Sequence, residues 1–403
     1  MSNRGSILII VENLPVPFDR RVWQESCALR DAGYEVTVIC PRMRGFNKPE
    51  EQLDGIQIYR HWISGEAGGF LGFLAEYATA LWGEWWLAWK AWRRHRFKVI
   101  HLCNPPDLLF LVAWSFKLFG VKVIYDVHDL WPEMFEAKFK GRGLMYRLVR
   151  IAERLTYACA DVVLATNRSV KQTAIERGKK EDDEVFVVRT SPKIGNLDAP
   201  IDSALKRGRD YLVGFVGVMG DTDGVVYLID AAERIVHGMG RTDVQFLLMG
   251  TGPEYDRLIE LRREKGLDDY VDLPGRVSDE FLATALQTID LGVACDPINV
   301  YNDHCTMNKT LEYMAFGKPQ VMFEIKEGKA SAGDAARYVN ENSAEQLAEA
   351  IVELLDDSET RKRMGEYGRK RLREELNWER SVEQLKSAYA IVTPTKPARH
   401  ISG

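Results

Sequence analysis

The feature that most constrains this chain is a series of short, largely apolar segments that runs once, stops, and runs again. Residues 7–11, 35–39, 99–102, 121–125 and 162–165 each read as a buried strand, separated from the next by helical or loop sequence. A polar stretch from 190 to 209 with Pro192, Gly195, Pro200 and Gly208 breaks the series. It then restarts at 212–216, 245–249, 270–273, 291–294 and 320–323. Strands that read as near-continuous apolar runs belong to parallel sheets covered by helices on both faces. The pattern therefore predicts an α/β protein with two Rossmann-like domains facing across a cleft, ligands binding at the carboxyl ends of the strands. The expected domains are 1–195 and 205–375. A helix over 376–393 is expected to pack back toward the N-terminal domain, and a tail over 394–403 is expected to be disordered. A length of 403 residues is enough for two separate cores.

A net charge of −5 argues against nucleic acid as a partner, because a polyanion binder carries a strong basic excess. Any anionic ligand must be met locally. Cys27, Cys40, Cys103, Cys159, Cys295 and Cys305 are scattered without a C-x-x-C pair, so no metal site and no disulfide framework is expected, and cytosolic thiols are the simplest account. Ile7–Val11 follows a short polar lead; it is too short for the hydrophobic region of a signal peptide and is read as a strand.

In the second half, three loops follow strands where such sheets bind phosphates: Gly217-Val218-Met219-Gly220, Gly250-Thr251-Gly252-Pro253 and Gly275-Arg276. Glycine there lets backbone amides approach an anion closely. Residues 306–319 read as a short helix, with Thr306 as cap and Gly317 and Pro319 ending it. Met307, Leu311, Met314 and Ala315 would seat one face, leaving Asn308, Lys309 and Glu312 on the other. A helix N-terminus with an ammonium and a carboxylate suits a ligand that carries both phosphate and a diol, as a nucleotide sugar does.

These residues, in this order, resemble a bacterial family-4 glycosyltransferase of the GT-B fold nearly end to end. The N-terminal half contributes Asn13-Leu14-Pro15, the run Asp19-Arg20-Arg21-Val22-Trp23-Gln24-Glu25, Val99-Ile100-His101, Asn104-Pro105-Pro106-Asp107 and Asp126-Val127-His128-Asp129. The C-terminal half contributes the three glycine loops, Val277 and the helix carrying Glu312. The resemblance implies transfer of a sugar from a nucleotide-diphosphate sugar with retention of configuration, in polysaccharide or glycolipid assembly, without an essential metal and without a cofactor beyond the donor itself.

Carried over by position, Glu312 matches the second of two family glutamates seven residues apart and implies a ribose contact. The first falls at His304. The basic residues that the family uses for the diphosphate fall near Val218 and Asp223, neither of them basic, which leaves Lys309, Arg276 or Arg20 to supply charge. His128 implies a contact to the donor sugar, and Asp129 and Glu133 are the carboxylates nearest to it in sequence. Retention without an obvious nucleophile implies front-face attack, in which the departing β-phosphate takes the acceptor proton. The donor-side residues are then Gly217, Val218, Met219, Gly220, Gly250, Gly252, Arg276, Val277, His304, Thr306, Met307, Asn308, Lys309 and Glu312. Asp19, Arg20, Arg21, Asn104 and Asp107 fall on the acceptor side.

Residues 70–98 hold Trp82, Trp85, Trp86, Trp89 and Trp92 at helical spacing, followed by Arg93, Arg94, His95, Arg96 and Lys98. Glu76, Glu84 and Lys90 interrupt the run, which argues against a spanning helix. Two readings stay open: an in-plane helix that sets Trp82, Trp85 and Trp89 and the basic run 93–98 against an anionic membrane, or a helix packed on the N-terminal sheet. Lys138, Lys140, Arg142, Arg147 and Arg150 would extend a basic surface. The expectation is a cytoplasmic transferase, working at the inner face of the membrane if its acceptor is a lipid-linked glycan. The alternative is a catalytically silent partner that stabilises an active transferase, suggested by Val218, Asp223 and His304. A dinucleotide oxidoreductase is disfavoured because no G-x-G-x-x-G follows the first strand.

Overall fold

The computed structural model describes residues 4–63, 70–139, 141–190 and 197–393, with the backbone alone over 70–76. The expected tail over 394–403 and Lys140 lie outside the described residues. The chain divides into two compact units, Met1–Thr190 with Trp378–Gly403, and Ser191–Asn377.

The first unit runs β1 (Ser6–Val11), α1 (Arg20–Asp31), β2 (Glu35–Pro41), β3 (Glu50–Leu53), β4 (Ile56–His61), α2 (Phe70–His95), β5 (Val99–Cys103), α3 (Phe110–Lys117), β6 (Lys122–Val127), α4 (Trp131–Phe139), α5 (Leu144–Cys159), β7 (Val162–Ala165), α6 (Arg168–Glu176) and β8 (Val185–Val187). Its eight strands take the order β3-β4-β2-β1-β5-β6-β7-β8, parallel except where β3 pairs with β4. The second unit runs β9 (Tyr211–Val216), α7 (Val225–Glu233), β10 (Val244–Met249), α8 (Tyr255–Glu264), β11 (Val271–Gly275), α9 (Asp279–Thr288), β12 (Leu291–Ala294), α10 (Asn308–Ala315), β13 (Gln320–Phe323), α11 (Lys326–Ala332), β14 (Ala336–Val339), α12 (Ala344–Asp356) and α13 (Ser358–Glu374). Its six parallel strands take the order β11-β10-β9-β12-β13-β14. Each is a Rossmann-like sheet, so the α/β architecture expected from the two strand series is what forms.

A last helix, α14 (Trp378–Val392), belongs to the first unit, where Leu385, Ala388, Tyr389 and Val392 join the core under β1, β2 and α1. The Tyr389 hydroxyl sits 3.0 Å from His101 Nδ1, and Tyr34 and Thr393 share a 2.8 Å hydrogen bond.

Four strands escaped the apolar pattern. β3 is a half-exposed edge, and β8 and β14 are short and only partly buried. β4 ends in Arg60 and His61, both buried. Arg60 is accommodated there because its guanidinium donates to Val16 O at 2.8 Å and pairs with Glu51 at 2.7 Å.

The tryptophan helix settles most of its own question by packing. Trp85, Trp89 and Trp92 lie against the core of the first unit; Trp89 and Trp92 meet Phe116 and Phe119 of the α3 region at ring distances of 4.8–6.3 Å. For Trp85 and Trp89 the packing favours the second of the two open readings, a helix seated on the N-terminal sheet, while Trp82 and Trp86 are 66% and 57% exposed. The basic run is partly committed as well, with Arg94 on Glu50 at 2.8 Å, His95 on Glu35 at 2.8 Å and Arg96 stacked over Trp92.

Candidate functional site

In the first unit, the site grows from the carboxyl ends of β5 and β6 and the first turns of α1. Asp19 caps α1 by accepting from Val22 N at 3.1 Å, and it is buried. The cap aims Arg21 inward. Its Nε and Nη2 donate to the two oxygens of Asp126 at 2.9 and 2.6 Å, and Nη1 donates to Val188 O at 2.7 Å. Such a fork is pre-organised for a carboxylate. Glu25, one turn along α1, reaches Arg21 at 3.1 Å, and His101 lies 3.6 Å from Asp126 and 3.8 Å from Glu25. His128 Nε2 donates to Asp126 Oδ2 at 2.6 Å.

The electrostatics follow from burial acting against pairing. Burial drives the Asp126 pKa up, but the Arg21 and His128 charges outweigh it and hold the carboxyl well below its usual range. Burial also pushes His128 down, yet the Asp126 charge and hydrogen bond overcome it and raise the imidazole above its ordinary value. Glu25 goes the other way: burial lifts it to about 8 despite Arg21. His101 is lowered by burial. Ligand atoms of His101, Cys103 and Asp126 lie within 4.8 Å of one another, but both Asp126 oxygens already serve Arg21, so the group is an ion-pair network.

Asn104 holds the turn that carries His128. Its Oδ1 accepts from His128 N at 2.7 Å, while Nδ2 donates to Asp129 O at 2.8 Å, Asp107 Oδ1 at 2.9 Å and the Tyr125 hydroxyl at 3.0 Å. Asp107 is buried, also hydrogen-bonded by Tyr125, and raised to about 6 by that burial. Two expectations are corrected here. Arg21 does not reach outward to an acceptor, and Asn104 and Asp107 form an internal bracket. Glu133, one of the two carboxylates nearest to His128 in sequence, is buried in an ion pair with Arg177. Of the acceptor-side residues, Arg20 alone is exposed. Asp129, partly exposed, stays beside His128.

In the second unit, the loops after β9, β10 and β11 and the start of α10 come together, but differently from the glycine reading. A Cβ on Gly250 would stand 1.8 Å from Gly217 O, and one on Gly252 would stand 2.5 Å from Met219 O. Their small size serves the mutual packing of two loops. The amides of Gly217, Met219 and Gly250 donate to Met249 O, Thr251 O and Gly275 O at 3.0–3.2 Å, and Gly220 N donates to Asp223 Oδ2 at 3.1 Å. Four amides expected to cradle an anion are thus occupied internally. Val218 stands at the tip, 59% exposed, and Met219 is buried. Arg276 is exposed beyond β11, and Val277 packs partly into the core.

α10 begins with Met307 as its N-cap, without a side-chain cap, so Thr306 does not perform that role. Asn308 is exposed and Glu312 half-buried on the following turn. Lys309 is the larger correction. It is 6% exposed, its ammonium pairs with Asp296 at 2.7 Å, stands 4.0 Å from Asp223 and lies over the Phe215 ring at 4.9 Å. Burial lowers its pKa, and Asp296 more than restores it. Asp223 is lifted to about 6 by burial against the pull of Lys309. His304 occupies a 3-10 turn, Asn302–His304, where Asn302 ties the loop to Thr222 O at 3.1 Å and Pro297 O at 2.8 Å.

Asp296, Glu25 and Asp126 were not singled out by sequence reasoning as members of the site. Glu25 and Asp126 sit inside the motifs quoted above, but their partner Arg21 is 105 positions from Asp126.

Against known proteins, residues 19–189 match the Glycosyl transferase 4-like domain, and residues 210–357 match Glycosyl transferases group 1. The chain is 27% identical over 300 residues to alpha-maltose-1-phosphate synthase of Mycolicibacterium smegmatis, covering 68% of this chain and 74% of that one. Among solved structures it is similar to sucrose-phosphate synthase of Thermosynechococcus elongatus, with a TM-score of 0.78, 19% identity and coverage of 96% and 99%. It is also similar to Anabaena HepE in complex with UDP-glucose, with a TM-score of 0.71, 16% identity and coverage of 96% and 99%.

Proposed function

Since the chain belongs to the group 1 glycosyl transferases with a 4-like N-terminal domain and the GT-B fold, we propose that it moves a sugar from a nucleoside-diphosphate sugar to a glycan or lipid-linked acceptor with retention of configuration. The observation that carries this reading is the second unit's own arrangement. α10 starts at the carboxyl end of the sheet, beside the β9 and β10 loops, and places Glu312 one turn in. A carboxylate there accepts from a ribose diol, and the helix start faces an anionic group. In the first unit, His128 stands ready to donate to a sugar hydroxyl, its ring held by Asp126 through Nε2 and its backbone by Asn104. Chemistry then needs no enzyme nucleophile: the leaving phosphate oxygen takes the acceptor proton, and the protein supplies oriented charge. Asp129, Arg20, Arg276, His304 and Asn308 complete the set of polar groups that we assign to substrates.

Titration with UDP, GDP, ADP and NAD by calorimetry, followed by donor hydrolysis and transfer with and without EDTA, tests the proposal. Binding of one nucleoside diphosphate and turnover that survives EDTA are expected. Tight binding of NAD alone, or activity lost to EDTA and restored by a divalent metal, would count against it.

One observation favours a second reading. Lys309 is neutralised by Asp296 and faces Asp223, so the site is poorer in free positive charge than a diphosphate calls for. A chain that binds nucleotide sugar yet never turns it over would be a partner that stabilises an active transferase, and the hydrolysis measurement separates the two. We infer a reducing, cytoplasmic setting from the six free cysteines, with the work done at the inner face of the membrane if the acceptor is lipid-linked. Among the described residues, no helix is long and apolar enough to cross a membrane.

A further inference from the structure

α2, α3 and α5 lie on the same side of the eight-stranded sheet. The crossovers β4 to β5, β5 to β6 and β6 to β7 all advance in one direction across the strand order, and parallel crossovers are right-handed. Their inner faces share one core with Leu8, Ile100 and Val123. Their outer faces are unusually apolar. α5 presents Leu144, Leu148, Ile151 and Leu155, between 40% and 71% exposed, at spacings of four, three and four: a full helical stripe turned to solvent. The neighbouring α3 adds Leu111 and Trp114, and Leu118 just beyond its end is 87% exposed. Trp82 and Trp86 extend the face along α2.

Among the described residues of α3 and α5, the exposed charge left outside ion pairs is basic. Arg147 and Arg154 flank the α5 stripe, both exposed and without an ion pair among the described residues. The carboxylates of α4 and α5 are already committed, Glu133 and Glu153 to Arg177 and Glu136 to Arg142. α3 carries no acidic residue. Patches of this apolar extent on a surface mark an interaction site.

We propose that the α3–α5 face, with the exposed indoles of α2, docks on an anionic membrane surface. Leucine stripes suit the boundary between headgroups and acyl chains, and indoles and arginines suit the headgroup layer itself. A second copy of this chain is a poorer occupant, because a two-fold contact would set the Arg147 and Arg154 rim against itself. The proposal moves the contact from the full tryptophan row, whose Trp85 and Trp89 are packed inward, to two helices that the tryptophan pattern did not involve. It rests on exposure and charge and is independent of the transferase reading.

Co-sedimentation of the full chain with vesicles of phosphatidylcholine, with and without phosphatidylglycerol, tests it. The wild type should pellet with the anionic vesicles and be partly released by salt. Leu148→Glu with Ile151→Glu should lower the partition coefficient by about tenfold or more, since each places a charge where an apolar side chain enters the interface. Leu118→Glu, at a position too exposed to affect folding, should act in the same direction. Arg147→Glu with Arg154→Glu should lower binding to anionic vesicles by about tenfold or more and leave binding to neutral ones unchanged. Nucleotide affinity should stay at the wild-type value in all three, so failure of the membrane proposal and failure of the transferase reading appear in different measurements. A wild type that ignores every vesicle, or a Leu148→Glu, Ile151→Glu protein that pellets like wild type, would overturn the proposal. So would a wild-type dimer in sedimentation velocity that the same pair of substitutions dissolves, which would assign the face to a second copy.

Discussion

Asp126 is the residue through which the first unit's polar network is connected, since it accepts from Arg21 twice and from His128 once while buried. Asp126→Asn leaves Arg21 and His128 without their counter-charge, and breaking a buried pair in this way should cost about 3–5 kcal/mol, measurable by urea denaturation. The pH dependence has a defined sign. Glu25 has a folded pKa near 8, above its unfolded value, so the folded state holds the proton more tightly and loses stability as pH rises from the unfolded value through about 8. His128, also raised, contributes stability that is complete below its unfolded pKa and lost as pH rises through its folded one. Glu25→Gln should therefore change the melting temperature little at pH 5 and raise it at pH 8, leaving a shallower alkaline slope; an unchanged slope would show that Glu25 titrates normally. At the donor end, Glu312→Ala should weaken nucleoside-diphosphate binding about tenfold or more, by loss of charge-assisted hydrogen bonds worth about 1.5–3 kcal/mol each. His128→Ala should instead lower turnover much further than it lowers nucleotide affinity, the pattern of a contact made to the sugar and its transition state.

At the level of elements, the second unit's site depends on how closely two loops can approach. Gly250 has φ of +149° and its missing Cβ position falls 1.8 Å from Gly217 O, so both backbone freedom and space require glycine there. Gly250→Ala should push the β9 and β10 loops apart and destabilise the second unit by about 1–3 kcal/mol or more. Nucleotide binding should fall with it, because the displaced loop includes Met219 and Gly220, whose neighbour Asp223 faces Lys309. Calorimetric unfolding together with nucleotide titration reads both effects; intact binding would mean that the loops are not part of the donor site. α10 shows the same dependence on setting. Its helical period placed Lys309 on the polar side with Glu312, but Asp296 at the end of β12 draws the ammonium inward.

For the molecule as a whole, the chain leaves the first unit, builds the second, and returns through α14 to finish the first core. Tyr389, fully buried against Tyr34 and His101, is the anchor of that return. Tyr389→Ala should cost about 3–5 kcal/mol through the cavity and the hydrogen bond lost. In thermal unfolding, the transition assigned to the first unit should shift to lower temperature while that of the second stays in place.

The two-fold series of largely apolar runs marked both parallel sheets, because strands covered on both faces are mostly apolar along their length, and that requirement is written locally. The glycine loops and the 306–319 helix were legible for the same reason: turn chemistry and helical period are short-range properties. Strands β3 and β8, half-exposed at the sheet's edges, and β4, whose Arg60 is satisfied by Val16 O and Glu51, carry no such local signature. The partners of the polar residues were settled by tertiary structure alone. Arg21 could have faced solvent until β6 brought Asp126 under it, Asn104 could have met a substrate until the turn at His128 folded over it, and Lys309 could have stood free until Asp296 came within 2.7 Å. An apolar side chain needs only to be out of water, which almost any core provides, whereas a buried charge needs one particular partner at hydrogen-bond distance, and only the assembled fold determines which residue that is.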